Sequence, residues 1–260
     1  VDMARGLIIC SDGRRLRRPD ANVAPVFQAI RRSDDLGVAG FEALARFRAP
    51  DGRLVGPDAL SALGGETDWR AITPVMLRLS AQVLGQQRAL GRDIFMQVNL
   101  SAAEISDPML AEEIAALIGE TGLPHGALRI ELTEQAALRD FDGALGALAA
   151  FRAAGAGVVL DDFGGGHSSF VWLAEFPAEG VKLDPRLVKM MGRPRAGAII
   201  AQLASMIRGL GMSVTAEAVE SRDDLAGLRE LGCDYVQGFA FDMPLRADDL
   251  DAAFDAGDGC

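Results

Sequence analysis

Cysteine, basic charge and long apolar runs are all scarce in this chain of 260 residues. The three cysteines, Cys10, Cys233 and Cys260, lie far apart and form no CxxC or Cys/His spacing. An odd, scattered set argues against a disulfide scaffold and against a zinc site, and it fits a reducing compartment. Lysine and arginine total 26 against 37 aspartates and glutamates, a formal net charge of −11. That balance argues against a nucleic acid duplex as partner, since duplex binding needs a basic face. It still admits an anionic ligand where a metal ion inverts the local sign. No run approaches the ~18 uninterrupted apolar residues of a membrane span. Residues 1–20 lack the charged, apolar, small-residue order of a secretory signal. The expected location is the cytoplasm, or the cytoplasmic part of a larger, membrane-attached protein.

What remains is an ordinary globular composition, 49% hydrophobic and 24% charged, in a length that suits one barrel of ~250 residues. Helical spacing runs through Ile72, Val75, Met76, Leu79 and Val83, then Leu110, Ile114, Leu117 and Ile118. It recurs at Phe141, Leu145, Leu148 and Phe151, and at Ile199, Leu203, Met206, Ile207 and Leu210. Asp107-Pro108 reads as an N-cap with proline at the first helical position, and Gly91, Gly122, Gly211 and Gly232 read as C-caps. Short apolar runs alternate with these helices: 23–30, 38–47, 94–100, 128–132, 157–162, 180–183, 212–216 and 235–239. Strand and helix in alternation predict a parallel sheet, and eight strands predict a closed (β/α)₈ barrel, the TIM fold. Only a few residues separate Ile30 from Val38, whereas a parallel crossover needs a dozen or more. The first strand is therefore expected to run antiparallel to the rest, making the barrel irregular. Residues 1–20 fit no unit and read as an N-terminal tail or linker remnant, with Arg14, Arg15, Arg17 and Arg18 on a solvated face. The barrel takes residues 21–260. A start at Val1 within an unplaced segment fits excision from a longer chain.

The informative pattern is the polar residue at each strand end. Glu42, Asn99, Glu131 (with Glu134 a turn on), Asp161-Asp162, Lys182, Glu217 (with Glu220 after it) and Gln237 follow one another along the chain, one site per strand. In this fold such ends converge on one mouth, where active sites sit. Carboxylates gathered there repel unless a cation neutralises them or their pKa values rise. With oxygen donors and neither cysteine nor histidine, the set suits Mg²⁺, Mn²⁺ or Ca²⁺. Adjacent Asp161 and Asp162 can serve two ions, a device for phosphodiester displacement. Lys182, the lone cation, can orient the attacking water or screen a phosphate oxygen, or be only a salt-bridge partner.

The motifs are those of a known family. Gly40-Phe41-Glu42-Ala43-Leu44-Ala45-Arg46 resembles the signature that names the EAL domains. Gln97-Val98-Asn99-Leu100-Ser101 resembles their VNxS strand, and Glu131-Leu132-Thr133-Glu134 matches ELTE. The run Asp161-Asp162-Phe163-Gly164-Gly165-Gly166-His167-Ser168-Ser169 resembles DDFGTGYSS. Val181-Lys182-Leu183-Asp184, Ala216-Glu217-Ala218-Val219-Glu220 and Gln237-Gly238-Phe239 follow in order, and Phe27-Gln28-Ala29-Ile30 resembles a worn YQPIV opening. The resemblance spans about Val26 to Pro244.

It implies a bacterial phosphodiesterase that hydrolyses cyclic di-GMP to linear pGpG with two Mg²⁺ or Mn²⁺ ions, Ca²⁺ being inhibitory. Glu42, Asn99, Glu131 and Asp161 would hold the first ion, and Asp161, Asp162 and Glu217 the second. Glu217 stays open between ligand and base. Lys182 would contact the nucleophilic water, and Arg46 would grip a substrate phosphate as a planar fork. Gln28 and Gln237 would border the substrate, Glu134 would steady the loop after Asp162, and Glu220 and Gln237 would support the ligands. The chain departs from the pattern at Gly165, where Thr or Ser is usual, and at His167, where Tyr is usual. Three glycines in succession are costly to order, so a weaker second-ion site is expected. Ala45 and Phe47 stand where Leu and Trp are commoner. The segment Phe170-Val171-Trp172-Leu173 suggests a homodimer beside that loop, and the family habit suggests an upstream cyclase-like or sensory domain. Three other readings remain: a module that binds cyclic di-GMP without turnover, an enolase-type barrel, and a scaffold acting through protein contacts.

Overall fold

The computed structural model describes residues 8–9, 15–16, 23–49, 52–62, 68–105, 107–133, 141–165, 170–176 and 178–255. Eight strands close into a barrel: β1 (Val23–Arg32), β2 (Val38–Arg48), β3 (Phe95–Leu100), β4 (Leu128–Thr133), β5 (Gly157–Phe163), β6 (Gly180–Leu183), β7 (Ser213–Ala216) and β8 (Tyr235–Val236). Strands β2 to β8 are parallel in sequence order. β1 closes the ring antiparallel to both β2 and β8. The irregular TIM barrel expected from the short 30–38 connection is the fold observed. Two small additions decorate it, a two-residue strand Leu54–Val55 on the end of β2 and an antiparallel ladder of Ile8–Ile9 with Arg15–Leu16. The eighth strand is shorter than its apolar run, because Gly238 onward leaves the ladder after Gln237 N–H donates to Ala216 O (2.9 Å).

The helices lie outside: α1 (Trp69–Ala89), α2 (Pro108–Thr121), α3 (Phe141–Ala153), α4 (Phe170–Glu175), α5 (Pro194–Gly209) and α6 (Leu225–Glu230). Asp107 accepts from Met109 N–H ahead of Pro108, and all four proposed C-cap glycines have positive φ. The strands are apolar on the face toward the helices. On β4, Leu128, Ile130 and Leu132 pack into the main core with Ile72, Leu84, Ile114 and Leu148 from the helices. A second core joins Val181, Val214 and Val236 to Ile200, Ile207 and Leu228. Each such side chain contributes roughly 1.5–3 kcal/mol by leaving water. The alternate residues, Arg129 and Glu131 on the same strand, face the barrel interior. A hydrophobic outer face thus delivers a polar inner one.

α5 differs from its sequence reading in one respect. Ile199, Met206 and Leu210 are exposed, while Ala196, Gly197, Ile200, Ala204 and Ile207 are buried. Small side chains let the helix approach the strands, so the buried stripe is not the bulkiest one. No helix among the described residues is long and apolar enough to cross a membrane.

Candidate active site at the barrel mouth

Register brings the strand-end residues together. Across the ladders Glu42 stands opposite both Gln28 and Gln97, Asn99 opposite Glu131, and Thr133 opposite Asp161. At the centre is Lys182, only 1% exposed. Its Nζ donates to Glu131 Oε1 and lies 3.0 Å from Glu42 Oε2, 2.6 Å from Glu217 Oε1 and 4.0 Å from Asp161 Oδ1. Gln237 Nε2 donates to Glu42 Oε2 (2.8 Å) and to Gln28 Oε1 (3.3 Å), while Asn99 Nδ2 donates to Glu42 Oε1 (2.7 Å). Glu42 is therefore held at both oxygens.

Strand alternation alone would send Asp161 and Asp162 to opposite faces. The ladder between β5 and β6 slips there: Leu160 pairs with Val181, then Phe163 pairs with Leu183. The extra residue makes a bulge, with Asp162 in the left-handed region at φ 55°. This bend keeps both carboxylates at the mouth. Asp161, Asp162 and Glu217 each offer an oxygen within 4.8 Å of the others, and so do Glu42, Glu131 and Glu217.

The electrostatics follow from one ammonium among several carboxylates. Burial pushes Glu131 well above the usual carboxylate range, and repulsion from Glu42 adds to it. Burial likewise lifts Glu217 to about 8, against the pull of Lys182. Burial would lift Glu42 too, but Lys182, Asn99 and Gln237 overcome it and hold Glu42 low. Lys182 is buried, yet Glu131, Glu217 and Glu42 raise it well above the ordinary lysine value. Burial and the neighbouring Asp161 raise Asp162. The second oxygen of Glu131, Oε2, is buried without a hydrogen-bond partner among the described residues. An orphaned carboxylate oxygen inside a cluster of all-oxygen donors, of which Glu131, Glu217 and Asp162 are raised, fits a divalent cation. The two triads share Glu217, which divides the donors differently from the set carried over by resemblance: Glu217 stands beside Glu42 and Glu131, and Asn99 faces them as a donor.

Around this cluster the other singled-out residues fall into two groups. Arg46 lies on the same face of β2 as Glu42, half-buried, with Nη1 donating to Ala45 O (2.9 Å). Gln28 and Gln237 line a cleft of about 240 Å³ with Glu42 and Glu217. Glu220 borders that cleft and pairs with exposed Lys189 (2.8 Å). Glu134 and His167 lie outside the described residues, as does the side chain of Trp172. In the segment suggested for pairing, Leu173 is core and Phe170 and Val171 are exposed.

Two features escaped the sequence reading. Phe239, 66% exposed, stands in the wall of the same cleft. The signal was Gly238: any Cβ there would run into the Val219 backbone, so only glycine allows this close approach just before Phe239. The other is at Gly165. A Cβ there would overlap Asp184 Oδ2 and crowd Arg186 Nη2 (2.6 Å). Arg186 pairs with Asp184 (2.8 Å) and also donates to Gly165 O. The space of the usual Thr or Ser side chain is filled by a charged pair.

A family model described as EAL domain matches residues 14–244. The chain is 33% identical over 216 residues to the cyclic di-GMP phosphodiesterase RocR of Pseudomonas aeruginosa, covering 82% of this chain and 55% of that protein. It is similar in structure to the PaMucR phosphodiesterase solved with c-di-GMP, with TM-score 0.79 and 27% identity over 88% of this chain and 94% of the other. BlrP1 of Klebsiella pneumoniae, solved as a manganese/cy-diGMP complex, gives TM-score 0.76 and 28% identity over 87% and 56%. The chain thus spans about half the length of RocR.

Proposed function

The chain belongs to the EAL domain family, and from that premise we propose that it hydrolyses cyclic di-GMP to linear pGpG at the barrel mouth. The observation that carries this reading is the pair of carboxylate triads sharing Glu217. Glu42, Asn99, Glu131 and Asp161 would hold one divalent ion, and Asp161, Asp162 and Glu217 a second. When bound there, two Mg²⁺ or Mn²⁺ ions would acidify a water and stabilise the charge of a phosphodiester displacement. The chain's own residues do the rest. Arg46 presents a planar fork to a phosphate oxygen. Lys182, fixed by Glu42 and Glu131, would turn the N–H now directed at Glu217 toward the attacking water. Glu217, once ionised by a bound cation, would act as a ligand or as the base that takes up that water's proton. Water adds to phosphorus, one phosphorus–oxygen ester bond breaks, and the released ribose oxygen gains a proton. Phe239 offers a ring face and Gln28 and Gln237 offer amides to the base in the adjoining cleft. Ca²⁺, which prefers longer bonds and more ligands than Mg²⁺, is expected to occupy the site and inhibit.

The same reading includes a cytoplasmic site of action, a homodimer over exposed Phe170 and Val171 beside the Asp162 loop, Glu134 as that loop's support, and an upstream cyclase-like or sensory domain. The test is incubation of the protein with cyclic di-GMP and Mg²⁺, Mn²⁺ or Ca²⁺, with the nucleotides separated. Linear pGpG is expected with Mg²⁺ and Mn²⁺. Tight binding without turnover in any ion would make the chain a sensor instead.

A further inference from the structure

The N-terminal ends of the same strands carry a second inward layer. Two residues before Glu131, Lys182, Glu42 and Gln237 stand Arg129, Gly180, Gly40 and Tyr235, which alternation places on the interior face. Phe95, four residues before Asn99, joins them. The Phe95 and Tyr235 rings meet edge to face at 5.7 Å, and the Arg129 guanidinium lies 3.6 Å over the Phe95 ring. Glycines make the room: a Cβ at Gly157 would stand 2.9 Å from Arg129 Cγ, and one at Gly40 would overlap the Phe95 ring.

Arg129 is anchored by one hydrogen bond, from Nε to Gly126 O (3.1 Å). Its two Nη groups have neither ion pair nor hydrogen bond among the described residues. The other arginines of this rim are matched with acids: Arg152 with Glu179, Arg208 with Asp234 (3.5 Å), Arg88 with Asp93 (2.9 Å) and Arg32 with Asp35 (2.9 Å). Glu179 is further occupied by Val158 N–H. Burial holds Arg129 below the ordinary guanidinium range, and the Tyr235 phenol, then Glu179, act in the opposite direction. Two clefts of about 370 and 680 Å³ open at this end, and both have Arg129 and Tyr235 in their walls. A part-buried guanidinium fork with four open N–H bonds, in a rim of neutralised pairs, is a donor array lacking an acceptor.

We propose that the N-terminal end of the barrel binds a phosphoryl oxyanion on the Arg129 fork, with the Tyr235 hydroxyl as a further donor. The fork matches two oxygens of such a group, and the Tyr235 phenol, in the wall of the same two clefts, offers a donor for a third oxygen, which a carboxylate does not have. The phosphoryl group is that of free phosphate or of a nucleoside monophosphate entering the larger cleft. The site does not depend on the reaction at the mouth.

Tyr235 is the single tyrosine of the chain, so ¹³C-tyrosine labelling gives one NMR reporter at this end. In EDTA at constant ionic strength, inorganic phosphate should shift its ring resonances saturably, with Kd on the order of 1 mM. Arg129→Gln should weaken binding at least tenfold, and Arg129→Lys, which keeps the charge but not the fork, several-fold. Tighter binding of a nucleoside monophosphate would assign the nucleotide, and equal binding the free ion. If Arg129→Gln fails to fold, as judged by circular dichroism, Arg129→Lys carries the comparison. The proposal is overturned by a non-saturable response in the unaltered protein, which would mean an adventitious ion only, or by undiminished binding in Arg129→Lys.

Discussion

The two ends of the barrel are built by one rule and reach opposite results. Along β4, Arg129 and Glu131 point inward two residues apart, one to each end. At the C-terminal end a single ammonium serves four acids, Glu42, Glu131, Glu217 and Asp161. At the N-terminal end the arginines lining the two clefts, Arg129 excepted, each pair with an acid among the described residues. The first end lacks positive charge and the second lacks one negative charge. A barrel whose outer face is apolar can be polar inside at both ends, and the sign of the shortfall states what each end would bind. The comparison stands or falls on whether charge, rather than packing, separates the two ends.

The largest effect is expected at the mouth. Glu42→Ala and Asp161→Ala each remove a carboxylate proposed to hold an ion, which should cost several kcal/mol of transition-state stabilisation, or ~10²–10³-fold or more in kcat/KM. Circular dichroism should show the fold retained. Activity above a small fraction of the original in either variant would place the ions elsewhere.

Next comes Lys182→Met. Removing one partner of a buried charge network leaves the others uncompensated, typically at a cost of ~3–5 kcal/mol. Thermal unfolding in EDTA should show this loss, and Mn²⁺ should recover much of it by replacing the missing positive charge. Equal melting temperatures for the two proteins in EDTA would mean that the lysine does not neutralise the cluster.

The pH dependence is smaller and has a definite sign. Glu217 has a folded pKa of about 8 against an ordinary value of 4.5. Between those values the unfolded chain is ionised while the folded protein retains the proton. Stability contributed at this position is therefore lost as pH rises from about 4.5 to about 8. In EDTA, Glu217→Gln should gain melting temperature relative to the unaltered protein between pH 5 and pH 8. A constant difference across that window would refute the proton on Glu217.

Much of this was legible in the sequence, and the failures are instructive. Strand runs ended near their observed limits because apolar β-branched stretches and flanking glycines coincide with the ladders. The antiparallel β1 followed from chain length alone. The mouth was legible because strand ends converge in a closed barrel whatever the helices do. On α5, the large side chains Ile199, Met206 and Leu210 drew attention to the wrong face, since close packing selects Ala196, Gly197 and Ala204 instead. The bulge at Asp162 carries no local pattern; only the three-against-two pairing with β6 creates it. Arg129 was invisible because one arginine in an apolar strand looks like a surface residue until the strand opposite shows glycine.

The smallest expected effect tests the edge of the mouth. The family's loop pattern has Thr or Ser where this chain has Gly165, and by that pattern alone restoring Thr would firm the loop that follows Asp162. The structure argues the reverse. The Asp184 carboxylate caps the turn at Pro185–Val188 by accepting from Arg186 N–H (2.7 Å), and it also takes Arg186 Nε (3.0 Å). A group fixed from two directions cannot swing aside for a new Cβ. Gly165→Thr should therefore displace the Arg186 bond to Gly165 O and weaken apparent Mn²⁺ affinity several-fold, with little change in melting temperature in EDTA. Adding Arg186→Ser should recover part of that loss, because the two changes act on one space and need not add. Mn²⁺ titration of activity across the four chains of this cycle measures the coupling. If Gly165→Thr alone tightened Mn²⁺ binding, the Asp184–Arg186 pair would not be what fills the loop, and the mouth would have a softer rim than its charge pattern requires.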